Sequence, residues 1–258
     1  MPYGRGSLES RDPPTVLMRT IAILPIKSFG AAKQRLSSTL GGGAREALAQ
    51  AMYCDVLTSL RHVSGLDAVA VVTANRLAES AISRTGIHLL HDGEESGHIP
   101  AANLGIAHAI EEGFDRVLLV PGDTPLLDPV ELDAMLARAQ EDGTAVTIVP
   151  DRHGTGTNSL LLSPPLAISP SFGPGSLERH RQAARDAGVS HRVEAIFSLM
   201  LDVDTPEDLA ELSEALGERR GQASLTRGAL RQLDRSQTGG PVASRRREAV
   251  GSPARVEA

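Results

Sequence analysis

The chain has 258 residues, 41% hydrophobic and 22% charged, with a formal net charge of −6. This balance is typical of a folded globular protein and excludes disorder along the whole chain. No apolar run is long enough for a transmembrane helix, and we expect no membrane contact. The single cysteine, Cys54, excludes an internal disulfide framework, and no histidine pair has zinc-ligand spacing. The first residues lack the apolar core of a secretory signal, so we expect a cytoplasmic protein.

The charge is uneven along the chain. Residues 218–258 contain nine arginines against four acidic residues, whereas the rest of the chain carries −11. We therefore expect three regions: a disordered extension at 1–19, in which Met18 could be the true start, one folded domain at 20–217, and a disordered basic tail at 218–258. A solvated tail without a role is favoured over one that contacts RNA, a membrane or an acidic partner. With few aromatic side chains to stack on bases, nucleic acid is not an expected partner.

Short apolar runs alternate with amphipathic stretches for most of the length. Because the runs are almost continuously apolar, they predict strands that are buried on both faces, as in a parallel sheet. The predicted strands lie at 20–26, 68–73, 87–91, 117–120, 145–149, 159–162, 193–197 and 199–203. The main predicted helices lie near 48–60, 77–84, 101–112, 129–139, 174–187 and 206–216. This alternation predicts a three-layer α/β/α domain with a mostly parallel sheet.

A basic cluster follows the first predicted strand. It contains Lys27, Gly30, Lys33 and Arg35, and the two lysines are the only ones in the chain. Ligands of such sheets bind beyond the carboxyl ends of the strands, and a glycine before a helix start lets backbone N–H groups approach phosphate. The cluster matches no Walker A motif, and a solvated basic helix face is the alternative interpretation.

Acidic residues follow two later strands. Asp123 lies in the turn PGDTP, and Asp202 and Asp204 form a D-x-D motif. Carboxylates beside phosphate oxygens are the usual ligands of Mg²⁺, so these residues predict a magnesium site. Alternatively, Asp123 caps a turn, and Asp204 or Thr205 caps the last helix.

Two loops are rich in glycine and hydroxyl side chains. They read DRHGTGTN at 151–158 and FGPGS at 172–176. Such loops can present backbone N–H groups and hydroxyls to a small anion, although each alone could be a tight turn. His153 could act as a base, but a loop histidine is more often only solvated. There is no nucleophile motif, so a covalent mechanism is not expected.

With these clusters together, residues 20–216 resemble the guanylyltransferases of deazaflavin (coenzyme F-420) biosynthesis. The resemblance is most specific in the two glycine-rich loops and in Arg179-His180. It implies a nucleotide-diphospho-sugar transferase (GT-A-like) fold. It also implies the following roles: Asp123, Lys27 and Lys33 in catalysis; Asp123, Asp202 and Asp204 on Mg²⁺; Lys27, Lys33, Arg35 and Asn103 on the nucleotide; and Thr157, Gly173 and Ser176 on the acceptor substrate.

The resemblance further implies transfer of GMP from GTP to a phosphorylated three-carbon acid, with release of pyrophosphate. The loops favour phosphoenolpyruvate; 2-phospho-L-lactate and 3-phosphoglycerate remain alternatives, because these acids differ by a few atoms. A nucleotidyltransferase for a molybdopterin or sugar phosphate, and a catalytically silent nucleotide-binding module, are the rival hypotheses. The oligomeric state is open, with a homodimer as one option.

Overall fold

A computed structural model describes residues 18–26, 33–74, 87–93, 97–219 and 221–238. These residues form a seven-stranded sheet in the order β3-β2-β1-β4-β6-β5-β7. The strands are β1 (Thr20–Ile26), β2 (Ala68–Thr73), β3 (His88–His91), β4 (Arg116–Leu119), β5 (Val146–Pro150), β6 (Thr157–Leu162) and β7 (His191–Val193). The helices are α1 (Gly42–Leu60), α2 (His98–Glu111), α3 (Pro129–Glu141), α4 (Ser176–Asp186), α5 (Phe197–Met200), α6 (Pro206–Glu218) and α7 (Ser224–Thr238), with a 3₁₀ turn at Gln34–Ser38.

Helices cover both faces of the sheet, and β1 shows how. Its residues alternate: Ile21 and Ile23 pack on the side of α2, whereas Ala22 and Leu24 pack on the side of α1. Helix α2 approaches β1 so closely that a Cβ at Gly105 would lie 2.4 Å from Cγ2 of Ile23. The apolar runs are therefore buried from both sides, and the predicted three-layer α/β/α architecture is confirmed.

Strand β6 is the exception to the parallel sheet, because it runs antiparallel to both β4 and β5. The beginning of β6, at Thr157, consequently lies at the edge where β1 and β4 end. This one reversal brings the loop before β6 next to the loops that follow the parallel strands. The edge so formed carries the candidate site.

Two predicted strands are wrong. Residues 193–197 and 199–203 were expected to be strands, but the structure has the short strand β7 at His191–Val193 and the helix α5 at Phe197–Met200. The apolar side chains there are buried without strand pairing: Ile196 and Leu199 pack against one core cluster, and Val203 packs against another. Burial alone produced the apolar pattern. The helix predicted at 77–84 lies outside the described residues.

The expected disorder from residue 218 onwards is wrong for α7. Asp55 on α1 accepts hydrogen bonds from the backbone N–H groups of Leu225 and Thr226, at 3.2 and 2.7 Å, and so caps the start of α7. The partly buried Leu230 and Leu233 of α7 pack against a core cluster. The prediction rested on the composition of the segment, in which arginines outnumber large apolar residues, so the apolar stripe was missed. Residues 1–17 and 239–258 lie outside the described part, where the predictions for the two ends stay untested. No helix within the described ranges has the length and hydropathy of a membrane span.

Candidate active site

A cavity of about 660 Å³ opens at the edge of the sheet where β1 and β4 end and β6 begins. This volume is within the range of small-molecule binding sites. Nearly all of the predicted site residues that the structure describes line it. The polar lining includes Lys33, Arg35, Asp123, Asp151, Thr157, Asn158, Ser176, Asp202 and Asp204, with the backbone of Gly173 beside them.

Lys33 lines the cavity and contacts two carboxylates. Its Nζ is 2.5 Å from Oδ2 of Asp123 and 2.9 Å from Oδ1 of Asp204, and its side chain is only 7% exposed. Burial by itself would lower the pKa of Lys33, but the two carboxylates outweigh it and raise the pKa above its ordinary value. The residue has a left-handed backbone with φ of 57°, a strained conformation for a lysine that tends to persist at functional sites. Lys33 is thus a fixed ammonium that joins two segments distant in sequence.

Asp123 is held next to the D-x-D segment by the backbone as well. The N–H of Val203 donates to the carbonyl oxygen of Asp123 at 3.2 Å. The second carboxylate oxygen of Asp123, Oδ1, is buried and has no hydrogen-bond partner among the described residues. A buried carboxylate oxygen without a donor is unfavourable unless a cation or ligand group satisfies it.

Asp202 is oriented by Asn158 on β6. The amide nitrogen of Asn158 donates to Oδ1 of Asp202 at 3.2 Å and to the carbonyl oxygens of Leu199 and Met200 at 2.9 and 3.0 Å. Burial, together with the negative charges of Asp123 and Asp204, raises the pKa of Asp202 to about 6. The folded chain therefore concentrates negative charge at this point. We call Lys33, Asp123, Asp202 and Asp204 the carboxylate wall.

The alternative role of Asp204 as a helix cap is not what the structure shows. Thr205 caps α6 by accepting the N–H of Asp208, and the Asp208 carboxylate in turn accepts the N–H of Thr205. The carboxylate of Asp204 is left to face Lys33. As the side chains stand in the described ranges, no three acidic, histidine or cysteine residues are grouped closely enough to hold a metal ion.

The cavity lining also includes hydroxyl groups, and we call Thr157 and Ser176 the hydroxyl wall. Thr157 is buried, and its Oγ1 lies 3.0 Å from Nδ1 of His180. Ser176 is fully buried at the start of α4, and its Oγ has no hydrogen-bond partner within the described ranges. The preceding Gly175 adopts a φ of 70°, which an L side chain rarely adopts. A helix N-terminus with a free hydroxyl is suited to bind an anion.

Neighbouring charged side chains hold the loops. The Arg179 guanidinium donates to the carbonyl oxygens of Ser171, Phe172 and Pro174, at 2.7, 3.2 and 2.5 Å. Arg152 turns away from the cavity and pairs with Asp208 at 2.6 Å. His153, a possible base in the sequence, is exposed and does not line the cavity.

Two predicted nucleotide-binding residues are not placed at the cavity. Lys27 lies outside the described residues, and Asn103 is on the exposed face of α2, away from the lining. Conversely, sequence reasoning gave no role to Asn158 or His180, although both belong to the motifs that carried the resemblance. Two signals were available: Asn158 is a polar residue next to the buried start of a strand, and His180 is a histidine one turn into a polar helix.

Comparisons with known protein sequences agree on one family. A family model described as guanylyl transferase CofC like matches residues 20–236. A phosphoenolpyruvate guanylyltransferase of Conexibacter woesei is 49% identical over 219 residues, which cover 85% of this chain and 98% of that protein. A 2-phospho-L-lactate guanylyltransferase of Methanothermobacter thermautotrophicus is 37% identical over 196 residues, covering 76% of this chain and 84% of that protein. A solved structure of a nucleotide-diphospho-sugar transferase from Desulfovibrio desulfuricans is similar with a TM-score of 0.67 at 18% identity, over 83% of this chain and 95% of its own, and confirms the expected fold.

Proposed function

The chain belongs to the family of CofC-like guanylyl transferases, and from that premise we propose that it transfers GMP from GTP to phosphoenolpyruvate. The products would be pyrophosphate and enolpyruvoyl-2-diphospho-5'-guanosine, in a step of coenzyme F-420 biosynthesis. The relative with 49% identity carries the phosphoenolpyruvate name and the one with 37% identity the 2-phospho-L-lactate name, which favours phosphoenolpyruvate as the acceptor.

One observation carries the proposal: the carboxylate wall and the hydroxyl wall line the same cavity. The ammonium of Lys33 lies between Asp123 and Asp204. The hydroxyl of Ser176, which has no partner among the described residues, lines the same space as that of Thr157. Guanylyl transfer needs two anionic substrates side by side. The hydroxyl wall offers neutral donors to one anion. The carboxylate wall, with three carboxylates against one ammonium, would receive the other anion together with a bound magnesium ion.

The reaction needs no general base. A phosphate monoester is largely a dianion at pH 7, because its second pKa is about 6. Its oxygen attacks the α-phosphorus of GTP, a new P–O bond forms, and the bond to the pyrophosphate leaving group breaks. The acceptor thereby supplies the electron pair, and no proton has to be removed. Catalysis then consists of in-line alignment and compensation of charge.

Charge repulsion between the substrates is the main obstacle. Two unit charges at 4 Å and an effective dielectric constant near 20 interact by about 4 kcal/mol. The Lys33 ammonium can pair with a phosphate oxygen of GTP once it leaves one of its carboxylate partners. The cavity-lining Arg35, and Lys27 in the preceding segment, are proposed to contact the same phosphates.

The carboxylate wall fits a magnesium ion. Its donors are hard oxygen atoms, and Oδ1 of Asp123 is buried without a partner among the described residues. Mg²⁺ usually takes one or two protein carboxylates and completes its shell with phosphate oxygens and water. Asp123 together with Asp202 or Asp204 would hold it, and the bound ion would supply positive charge to the triphosphate.

The hydroxyl wall is proposed to bind the acceptor. Thr157, Ser176 and the backbone N–H of Gly173 would donate to the carboxylate and phosphate of phosphoenolpyruvate. Asn103 is left outside the proposed site, because its side chain is exposed on α2.

The deciding experiment incubates the protein with GTP, Mg²⁺ and one acid at a time, and follows pyrophosphate release. We expect release with phosphoenolpyruvate and much less with 2-phospho-L-lactate or 3-phosphoglycerate. Faster release with either of the other acids would reassign the acceptor. No release with any of them, from a protein that still binds GTP, would favour the silent nucleotide-binding module. Replacement of GTP by CTP tests the nucleotide in the same way.

A further inference from the structure

His180 is a fully buried histidine with two well-defined partners, one on each side of the ring. Nε2 lies 2.8 Å from the backbone nitrogen of Ser171, and Nδ1 lies 3.0 Å from Oγ1 of Thr157. The Phe172 ring packs edge-on against the imidazole, with centroids 5.6 Å apart. His180 thus connects the beginning of β6 with the loop that precedes α4.

The chemistry of these partners fixes the protonation of the ring. A backbone N–H can only donate, so Nε2 must be the acceptor and cannot carry a proton. A neutral imidazole has one N–H, which must then be on Nδ1. Burial, together with the neighbouring Arg179, lowers the pKa of His180 to about 4, so the ring is neutral near pH 7.

The direction of the Thr157 hydroxyl follows from this tautomer. Because Nδ1–H donates, Oγ1 of Thr157 accepts, and the hydroxyl hydrogen must point elsewhere. His180 is the one side-chain partner of this hydroxyl among the described residues, and Thr157 lines the cavity. The hydroxyl hydrogen is therefore available to a ligand in the cavity.

We propose that His180 is a positioning residue, whose Nδ1–H holds the Thr157 hydroxyl as a hydrogen-bond donor toward the anionic acceptor substrate. This inference rests on the proposed function, since it assigns the acceptor to the hydroxyl wall. With the opposite tautomer, Thr157 would donate to the ring and offer only lone pairs to the ligand, which would repel a carboxylate or phosphate. The hydrogen bond from the Ser171 N–H thus fixes the tautomer of His180, and this tautomer in turn directs the Thr157 hydroxyl hydrogen toward the anion.

The tautomer can be measured without any substrate. In protein labelled with nitrogen-15 histidine, long-range proton–nitrogen spectra at pH 7 distinguish the two ring nitrogens, and the signal absent from His180→Gln identifies residue 180. We expect a protonated Nδ1 and an unprotonated Nε2. A protonated Nε2, in either the neutral or the cationic ring, would overturn the inference.

The coupling to Thr157 is tested by equilibrium binding of phosphoenolpyruvate in the absence of GTP. Thr157→Val, which removes the hydroxyl at similar volume, should weaken binding roughly 10- to 100-fold, the range for one hydrogen bond to a charged group. His180→Gln keeps an acceptor for Ser171 but loses Nδ1–H, and should weaken binding roughly 3- to 10-fold. Added to Thr157→Val, it should weaken binding no further. Thr157→Ser, which keeps the hydroxyl, should restore most of the affinity.

The controls separate positioning from general destabilisation. Ser190→Ala removes hydrogen bonds to Gly143 and Ala145 away from the cavity, and should lower thermal stability without changing affinity for the acid. Unchanged binding by His180→Gln, or losses that multiply in the double variant, would overturn the inference. If the unsubstituted protein binds none of the three acids, the proposed function fails, while the tautomer measurement still decides how His180 holds Thr157.

Discussion

The two walls of the cavity hold their functional groups by different physical means. The carboxylate wall relies on charge: two aspartates pair with one buried ammonium, and a third, Asp202, is held in a buried and like-charged environment. The hydroxyl wall is neutral, with the Thr157 hydroxyl fixed by a neutral histidine and Ser176 at a helix N-terminus. The first wall should respond to pH, salt and divalent cations, whereas the second should respond to none of them.

This difference suits the two substrates proposed for the walls. The proposed triphosphate carries the larger charge and has to lose pyrophosphate, so the positive charges of Lys33 and of a magnesium ion on the carboxylates would be useful beside it. The acceptor oxygen has to remain nucleophilic, and neutral donors orient an anion without pairing that oxygen with a full positive charge. Substitutions in the two walls should consequently give different kinetic and thermodynamic effects.

The largest effect is expected for Asp123→Asn in the carboxylate wall. It preserves the shape of the side chain but removes the charge that pairs with Lys33 and would bind Mg²⁺. Pyrophosphate release at saturating substrates should fall about a thousandfold, the upper range for loss of one preorganised electrostatic group. Asp186→Asn on the exposed end of α4 is the matched control and should keep full activity. An Asp123→Asn variant with near-normal turnover would remove the charge-based account of this wall.

Lys33→Met should reduce both turnover and stability. Without the ammonium, Asp123 and Asp204 face each other uncompensated, and we expect about a hundredfold slower turnover. The free energy of unfolding should fall by about 1 to 2 kcal/mol, less than for a fully buried pair because Asp204 is half-exposed.

Arg192→Met is the control for Lys33→Met, since it breaks a surface ion pair with Asp142. It should change stability by less than about 0.5 kcal/mol in denaturant unfolding. If Lys33→Met lost no more stability than Arg192→Met, the buried ammonium would not organise the carboxylate wall.

Ser176→Ala tests the hydroxyl wall and, unlike Lys33→Met, should increase stability. Its Oγ is buried without a partner in the described part of the chain, so its removal should raise the free energy of unfolding by about 1 kcal/mol. The KM for phosphoenolpyruvate should rise roughly tenfold, while that for GTP should not change.

Ser159→Ala provides the matched control for Ser176→Ala. Ser159 on β6 has a similarly buried and unpartnered hydroxyl among the described residues, but it does not line the cavity. It should gain stability to a similar extent and keep a normal KM. An equal rise in KM for both variants would mean that Ser176 has no direct contact with the acceptor.

The sequence predicted the central strands better than the segments that are buried without strand pairing or ordered by distant contacts. Strands such as β1 and β2 were predictable because burial on both faces makes them continuously apolar. The apolar segment that follows β7 was not, since burial without strand pairing leaves the same pattern. Helix α7 was missed because its arginines dominate the composition, whereas its order depends on Asp55, a contact across 170 residues.

Within the site, residue types at strand ends predicted a magnesium site of Asp123, Asp202 and Asp204, and a separate basic cluster with Lys33. The ion pairs that join Lys33 to Asp123 and Asp204 could not be predicted, because they form between segments that are distant in sequence. The orienting contacts of Asn158 and His180 were equally hidden. Each acts across neighbouring elements, at distances that no local pattern encodes.

The last prediction, which gives the sharpest contrast between the walls, is the pH dependence of stability in Asp202→Asn. The folded-state pKa of Asp202 is raised to about 6 from an ordinary value of 3.8. Below pH 4 the carboxyl group is protonated in both the folded and unfolded chain, so the substitution should be nearly neutral. Between about pH 4 and pH 6 the unfolded chain releases the Asp202 proton while the folded chain keeps it, so the native protein loses stability relative to the variant until the folded carboxyl group also ionises above pH 6. Above pH 7, Asp202→Asn should therefore be more stable by about 1 to 2 kcal/mol in denaturant unfolding without Mg²⁺, and Mg²⁺ should narrow the difference by stabilising only the native carboxylate. Because Ser176→Ala removes no charge, its gain in stability should be the same at pH 5 and pH 8. A gain in stability that changed with pH in both variants would show that the two walls are not electrostatically distinct.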